Sequence, residues 1–302
     1  MPPAIAVVLI AAGMLGVAEP ERLTRDGRNK RDPVVVDAGR SIVYTVQGDL
    51  PKLVLSRLVL AGGPITRVFP EANLPELKAV YSADRQTVAW LRITGNDRVS
   101  LLVKPRDAES PYMVKTKKTV AWSPSLTPDG KGVIFNLAGQ LVVHSIPPGT
   151  VRTLAKSAGR NDWPAVSPDG RRVAFGSSRH GNFEIYTVRI DGEDLRRLTH
   201  RKGIDMRPAW SADGRRIAFT SVVEGNYEIC VMNADGSGLV NLSNHPERDD
   251  YPTWHPDGRV LWVGEREGRQ DLYLGRVVSP RAQERQEPEN RNPKQGQSTE
   301  SE

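Results

Sequence analysis

Apolar residues along this chain recur on a period of two, in short runs separated by turns. In the clearest runs an aliphatic residue sits two before an aromatic one: Ile42/Tyr44, Val88/Trp90, Val133/Phe135, Val173/Phe175, Ile217/Phe219 and Val260/Trp262. Alternation of this kind places both side chains on one face of a strand. Ahead of most pairs stands a turn: "TPDG" at Thr127, "SPDG" at Ser167, "SADG" at Ser211, "HPDG" at His255, and the looser "SADR" at Ser82. Proline presets φ for the turn, aspartate bonds nearby backbone, and glycine takes the positive φ that closes a hairpin. Apart from the first eighteen residues, no segment sustains a 3.6-residue apolar stripe, so the pattern predicts an all-β protein.

The turns repeat. Asp169, Asp213 and Asp257 are spaced 44 and 44 residues apart; Asp129 lies 40 before Asp169, Asp84 lies 45 before that, and Ala38 holds the slot 46 earlier. Each of the six units reads as four strands. Strand A ends three before the anchor, at Val35, Tyr81, Leu126, Val166, Trp210 and Trp254. Strand B carries the aliphatic/aromatic pair. Strand C is "EIYTV", "EICVM" or "DLYLG", and strand D is centred on Leu154, Leu198 or Leu242. A period of 40–45 residues with four strands per unit is the signature of a propeller blade. The expected fold is therefore a six-bladed β-propeller with four-stranded blades. Its last blade, with strands over 252–254, 260–264 and 271–277, has no strand D after it. Leu23 lies fifteen residues before Ala38, as Leu198 lies fifteen before Asp213. Arg22–Thr24 is therefore expected to join the last blade as its outermost strand and close the ring.

The flanks differ from the repeats. Ala4–Ala18 is apolar and uncharged and ends in small residues before Glu19, so residues 1–18 are expected to be a signal peptide, although no Lys or Arg precedes the run. Residues 19–278 are the propeller, and 279–302, rich in Gln, Glu, Arg, Asn and Pro, are an expected disordered tail. No further apolar run is long enough to span a bilayer, so no integral membrane span is expected after signal cleavage. With a single cysteine, Cys230, no intrachain disulfide forms. The net charge of +6 is mild, and the basic clusters at 22–31 and 115–118 lack interleaved aromatic platforms, so nucleic acid is not an expected partner.

The pattern SPDG-x-x-[IV]-A-[FW], followed by G-N-x-E-[IL]-Y, DG and LT, resembles the WD-like repeats of TolB-type six-bladed propellers. The resemblance is strongest over 161–277 and thin over 34–151. It implies an exported, periplasmic monomer that binds a protein or peptide partner, such as an envelope lipoprotein, or serves as an envelope scaffold. TolB-type proteins carry an α/β domain before the propeller, and only about twenty residues separate Ala18 from the first blade here. Partner identity therefore does not transfer.

No G-x-S-x-G, H-E-x-x-H, P-loop or C-x-x-C motif occurs, and no catalytic residues are assigned. The five histidines share no metal-ligand spacing and read as exposed loop residues. The anchor aspartates read as turn formers, Asn182 and Asn226 as turn or left-handed residues, Trp210 and Trp254 as packing between blades, and Cys230 as a small buried hydrophobe. Function in scaffolded folds concentrates on loops. The D-to-A loops carry Asp162, Asp205, Arg207, Asp249 and Asp250, and the B-to-C loops carry Arg179, His180, Glu224 and Arg266. Together they form the expected binding rim around the central channel. No cofactor is expected, unless the carboxylates at the channel mouth hold a divalent cation. The alternative is a propeller enzyme of the lactonase or glycan-processing kind with a metal in the channel.

Overall fold

The computed structural model describes residues 19–48, 53–95, 98–116, 120–147 and 149–277. The expected signal segment 1–18 and the tail 279–302 lie outside the described residues. Within them the chain forms six four-stranded antiparallel sheets, and the only helical element is a 3-10 turn at Asp37–Gly39. Strands A to D of blade 1 are Lys30–Val36, Ser41–Gln47, Leu53–Val59 and Thr66–Arg67. Blade 2 has Glu76–Tyr81, Val88–Ile93, Val99–Lys104 and Tyr112–Met113, and blade 3 has Ala121–Leu126, Gly132–Leu137, Gln140–Ser145 and Val151–Ala155. Blade 4 comprises Asn161–Val166, Arg172–His180, Asn182–Arg189 and Arg196–Arg197; blade 5 comprises Ile204–Trp210, Arg216–Val223, Asn226–Asn233 and Val240–Asn241. In blade 6, Asp249–Trp254, Arg259–Arg266 and Arg269–Arg276 are completed by Glu21–Arg22, the first strand among the described residues.

Six apolar clusters hold the ring, and each joins two neighbouring blades. Val173 and Phe175 of blade 4 pack with blade 3, whereas Ala174 between them packs with Ile217 and Phe219 of blade 5. Strand B is thus buried on both faces, not on one as the alternation alone suggests. The large face meets the previous blade and the small alanine face admits the aromatic of the next. The strand-B aromatics Tyr44, Trp90, Phe135, Phe175, Phe219 and Trp262 are all buried, and each such side chain contributes on the order of 2–3 kcal/mol of burial. Trp210 and Trp254 add polar staples: their indole N–H groups donate to the carbonyls of Ala165 and Ala209, one blade back, at 3.0 Å.

The anchor turns are built as expected. The carboxylates of Asp84, Asp129, Asp169 and Asp213 each accept from the Ser or Thr hydroxyl two residues before and from the backbone N–H two residues after. Gly130, Gly170 and Gly214 follow at φ near +70°, and in blade 2 Arg85 takes that strained position at +64°. Aspartate and serine at these spacings thus serve the hairpin.

The ring closes through the N-terminal segment. Glu21 and Arg22 pair with Leu274 and Tyr273, and the Leu23 N–H donates to the Leu272 carbonyl at 2.8 Å. The same bond occurs from Leu198 to Ile185 and from Leu242 to Ile229, so Leu23 occupies the strand-D leucine slot. Asp271, fully buried, is the hub. Its carboxylate accepts from Thr24 Oγ1 at 2.6 Å, Arg22 Nη2 at 2.6 Å and Lys30 Nζ at 3.3 Å. Lys30, 2% exposed, starts strand A of blade 1 and also donates to the Gln270 carbonyl at 2.9 Å. Blade 1, blade 6 and the closing strand therefore meet on one carboxylate. Burial works against its ionisation, but the Thr24, Arg22 and Lys30 contacts outweigh that and hold the Asp271 carboxyl below its ordinary value.

Removing one partner of a buried ion pair costs about 3–5 kcal/mol, because the other charge is stranded. Asp271→Ala is expected to lower the melting temperature by on the order of 10 °C in calorimetry; a shift within about 2 °C would contradict the closure network. Acid provides a second check. Asp84, Asp129, Asp169, Asp213, Asp257 and Asp271 are all held below their ordinary values in the folded chain. The unfolded chain therefore binds more protons in acid. Their stabilisation is complete above the unfolded value near 4 and is lost as pH falls through the folded values. Urea unfolding is expected to show a stability that falls steeply below about pH 4; a flat profile from about pH 5 to 3 would refute this assignment.

Candidate binding site

Strand A is the inner edge of every blade, and its outward-facing backbone has no neighbouring strand. Edge position permits proline, and Pro33, Pro124, Pro164, Pro208 and Pro252 occupy equivalent places in five blades, with Ala79 in the sixth. Just before that place the A–B register skips in every blade: Arg31/Val34, Leu77/Val80, Trp122/Ser125, Asp162/Ala165, Met206/Ala209 and Asp250/Thr253. The skipped residues before the proline slot are Asp32, Lys78, Ser123, Trp163, Arg207 and Tyr251, all left-handed at φ between 50° and 58°. A non-glycine residue there costs about 1–2 kcal/mol. The bulge recurs in all six blades.

Five of the six bulge residues line an axial cavity of about 400 Å³. Its wall runs along strands A from the bulges to the A–B turns and includes Tyr81, Trp210 and Trp254 besides the proline ring. The guanidinium of Arg207 lies against two rings, its carbon 5.3 Å from the Trp163 centroid and 4.5 Å from that of Tyr251. Its Nη1 donates to Asp250 Oδ1 at 3.2 Å. Lys78 Nζ lies 3.2 Å from Asp32 Oδ1, and Arg31 Nε lies 3.7 Å from Asp32 Oδ2. Burial pushes the Tyr251 hydroxyl up, against the lowering effect of Arg207, so it stays protonated.

The expected rim residues are placed differently. Asp162, Asp205, Arg207, Asp249 and Asp250 belong to strand A itself, not to the loops before it. Asp162, Asp205, Asp249 and Asp250 are each at most 3% exposed. Asp162 accepts from the Trp163 N–H at 2.8 Å and from Arg160 at 3.0 Å; Asp250 accepts from the Tyr251 N–H at 2.7 Å and from Thr220, Arg207 and Arg248. Both carboxylates thus cap the bulge that follows them. Asp249 accepts from Trp262 Nε1 at 3.0 Å and Arg266 Nη1 at 2.9 Å, and burial still raises its carboxyl. Arg179 lies across the Tyr186 ring at 4.7 Å and donates to Ser177 and Asn161, and His180 Nδ1 lies 2.6 Å from the Tyr186 hydroxyl. Glu224 stands exposed at the B–C turn of blade 5. The structure thus joins Asp250 to Arg207, Asp249 to Arg266, and Arg179 with His180 around Tyr186, but gathers no open ring of carboxylates. Among the described residues no group of three or more His, Cys, Asp or Glu converges, so the donor set does not fit a divalent cation.

Other expectations resolve individually. His144 is 6% exposed on strand C of blade 3, beside Tyr112, and is no loop histidine. Asn182 and Asn226 are not left-handed; their amides donate to the carbonyls of Gly203 and His245 and clamp the D–A loops. Cys230 is buried, and burial pushes its thiol up to about 11. A further recurrent device was not read from the pattern. Glu184, Glu228 and Asp271, at the start of strand C, accept from Thr199, Ser243 and Thr24 after strand D. The joint recurrence of E-[IL] and L-[TS] in the repeats is the signal for it.

These features define a six-bladed propeller with an aromatic, proline-walled axial pocket and its rim charges spent internally. Its fold is similar to that of TolB-like propellers. The family described as TolB beta propeller domain matches residues 91–226. An uncharacterized protein of Agrobacterium fabrum is 33% identical over 109 residues, covering 35% of this chain and 36% of that protein, so the match spans little more than a third of the relative's length. Among solved structures, one assigned as TolB from Agrobacterium tumefaciens superposes with a TM-score of 0.64 at 22% identity, covering 83% of this chain and 91% of that one. TolB from Acinetobacter baumannii gives 0.62 at 20%, covering 80% and 64%. An oligogalacturonate lyase in complex with manganese gives 0.61 at 15%, covering 84% and 78%. Likeness at these identities is likeness of fold.

Asp205 provides a test of the buried-charge assignments. Its Oδ1 accepts from Ser221 at 2.7 Å, but its buried Oδ2 has no partner among the described residues. Burial, aided by nearby Glu184, raises its carboxyl. A raised folded value means that ionisation opposes folding at neutral pH. Asp205→Asn is therefore expected to stabilise the chain by about 1 kcal/mol at pH 7, seen as a higher urea midpoint; a lowered midpoint would show that the charge is needed.

Proposed function

We propose that this chain is an exported binding module that takes a protein or peptide segment into its axial pocket. The observation that carries the reading is the pocket wall, assembled from all six inner strands and rich in proline and aromatic surface. A rigid ring offers such a wall at little ordering cost, which favours binding of an extended segment. Export rests on the apolar 4–18 run followed by a polar stretch, and no helix among the described residues is long and apolar enough to cross a membrane. The partner class follows the TolB-like fold; an envelope lipoprotein is one such partner, and a periplasmic location suits it. The monomeric state and the scaffold role belong to the same reading. The likeness to a manganese-bound oligogalacturonate lyase is the specific support for an enzymatic reading, and the donor set described above speaks against it.

The test is site-specific photo-crosslinking in the source cells. A crosslinker at Trp163, in the pocket, is expected to trap one defined protein or peptide, and a crosslinker at Val240, on the outer edge, is expected not to. Equal trapping at both positions would reject the pocket. One equivalent of manganese retained by the purified chain, together with cleavage of oligogalacturonate, would establish the enzyme instead.

A further inference from the structure

The pocket has a chemical bias, and it deepens the binding reading on which it rests. Charges at the level of the bulges do not cancel. Asp250 is shared by Arg207 and Arg248, and Asp32 by Lys78 and Arg31, so four cations face two carboxylates. The neighbouring pairs, Arg266 with Asp249 and Arg92 with Glu76, match one to one. Arg207 spends only Nη1, on Asp250 and the Met206 sulfur; among the described residues nothing bonds its Nε or Nη2. Trp163 and Tyr251 lie against its guanidinium, and Nε and Nη2 are the donors left to a ligand.

Several hydroxyls of the wall are already engaged. The hydroxyls of Ser82, Ser167 and Ser211 donate to the anchor aspartates, and Ser125 Oγ accepts from the Val166 N–H. Five wall positions are prolines without an N–H. A ligand that is apolar except for one anionic end fits it. A guanidinium with two donors left over suits the two oxygens of a carboxylate.

We propose that the axial pocket binds the C-terminal carboxylate of an extended peptide whose last residues are apolar or proline. Arg207 holds the carboxylate, Lys78 adds charge from the opposite side of the ring, and Trp163, Tyr251 and the proline ring pack the last side chains. The cavity of about 400 Å³ admits a short segment and no folded domain.

The test uses the full chain and three probes: a fluorescein-labelled hexapeptide ending Pro-Leu with a free carboxylate, its C-terminal amide, and trigalacturonate. In anisotropy titrations the acid peptide is expected to bind at least about tenfold tighter than the amide, and trigalacturonate is expected not to compete. Arg207→Gln is expected to bring acid and amide within about twofold of each other. Lys78→Gln, a half-buried change less able to disturb the fold, is expected to weaken the acid by about threefold and leave the amide unchanged. Melting curves identify unfolded variants. Equal binding of acid and amide, a preference that survives both substitutions, no binding of either peptide, or competition by trigalacturonate would each overturn the carboxylate assignment. A protein trapped at Trp163 alongside equal binding of acid and amide would leave the binding module standing and remove only its ligand class.

Discussion

The constraint on which this molecule depends is the closure of a ring whose first and last strands are about 250 residues apart in sequence. Asp271 satisfies it. One buried carboxylate receives Thr24 and Arg22 from the closing strand and Lys30 from the blade that follows. Each blade buries both faces against neighbours, so an unclosed ring would expose the faces of blades 1 and 6 that form a shared cluster with Tyr44, Leu261 and Leu272. The chain thus ties its longest-range contact with a charge network rather than with apolar area alone. The same carboxylate–hydroxyl pairing fastens strand D in blades 4 and 5, so the closure reuses a device of the repeat.

A closed ring leaves one set of backbone edges facing the axis, and that edge is where the site forms. Proline is tolerated there, and bulges in five of the strands A bring a side chain to the cavity. Carboxylates on the same strands are consumed in holding the bulges and the neighbouring arginines. Chemistry at the axis is left to the spare donors of Arg207, the surplus cation beside Asp32 and a wall of rings. Structure and candidate function are in this sense two uses of one strand.

Much of the architecture was legible in the residues. The Pro-Asp-Gly turns and the aliphatic/aromatic pairs located the blades, and the spacing of Leu23 located the closing strand. Blades 1 and 2 were faint because Ala38 and Arg85 fill turn positions that aspartate and glycine fill elsewhere. The candidate site was less legible. The six bulge residues are Asp, Lys, Ser, Trp, Arg and Tyr, and share a backbone conformation without sharing a side-chain type. Their only mark is the proline that follows in five blades. Sequence spacing put Asp205 and Asp250 near the axis, but could not show that both are buried or that Arg207, one blade back, pairs with Asp250, because compensation is set by neighbours in space.

The most direct test of the account is hydrogen exchange at Asp271–Arg276. A chain beginning at Glu19 is compared with one beginning at Arg25, with and without a peptide spanning residues 19–24. The closure account predicts that the shorter chain loses more than about tenfold protection at these amides and that the peptide restores it. Equal protection in the two chains would contradict it, because the last blade would then hold its third strand without the first segment of the chain.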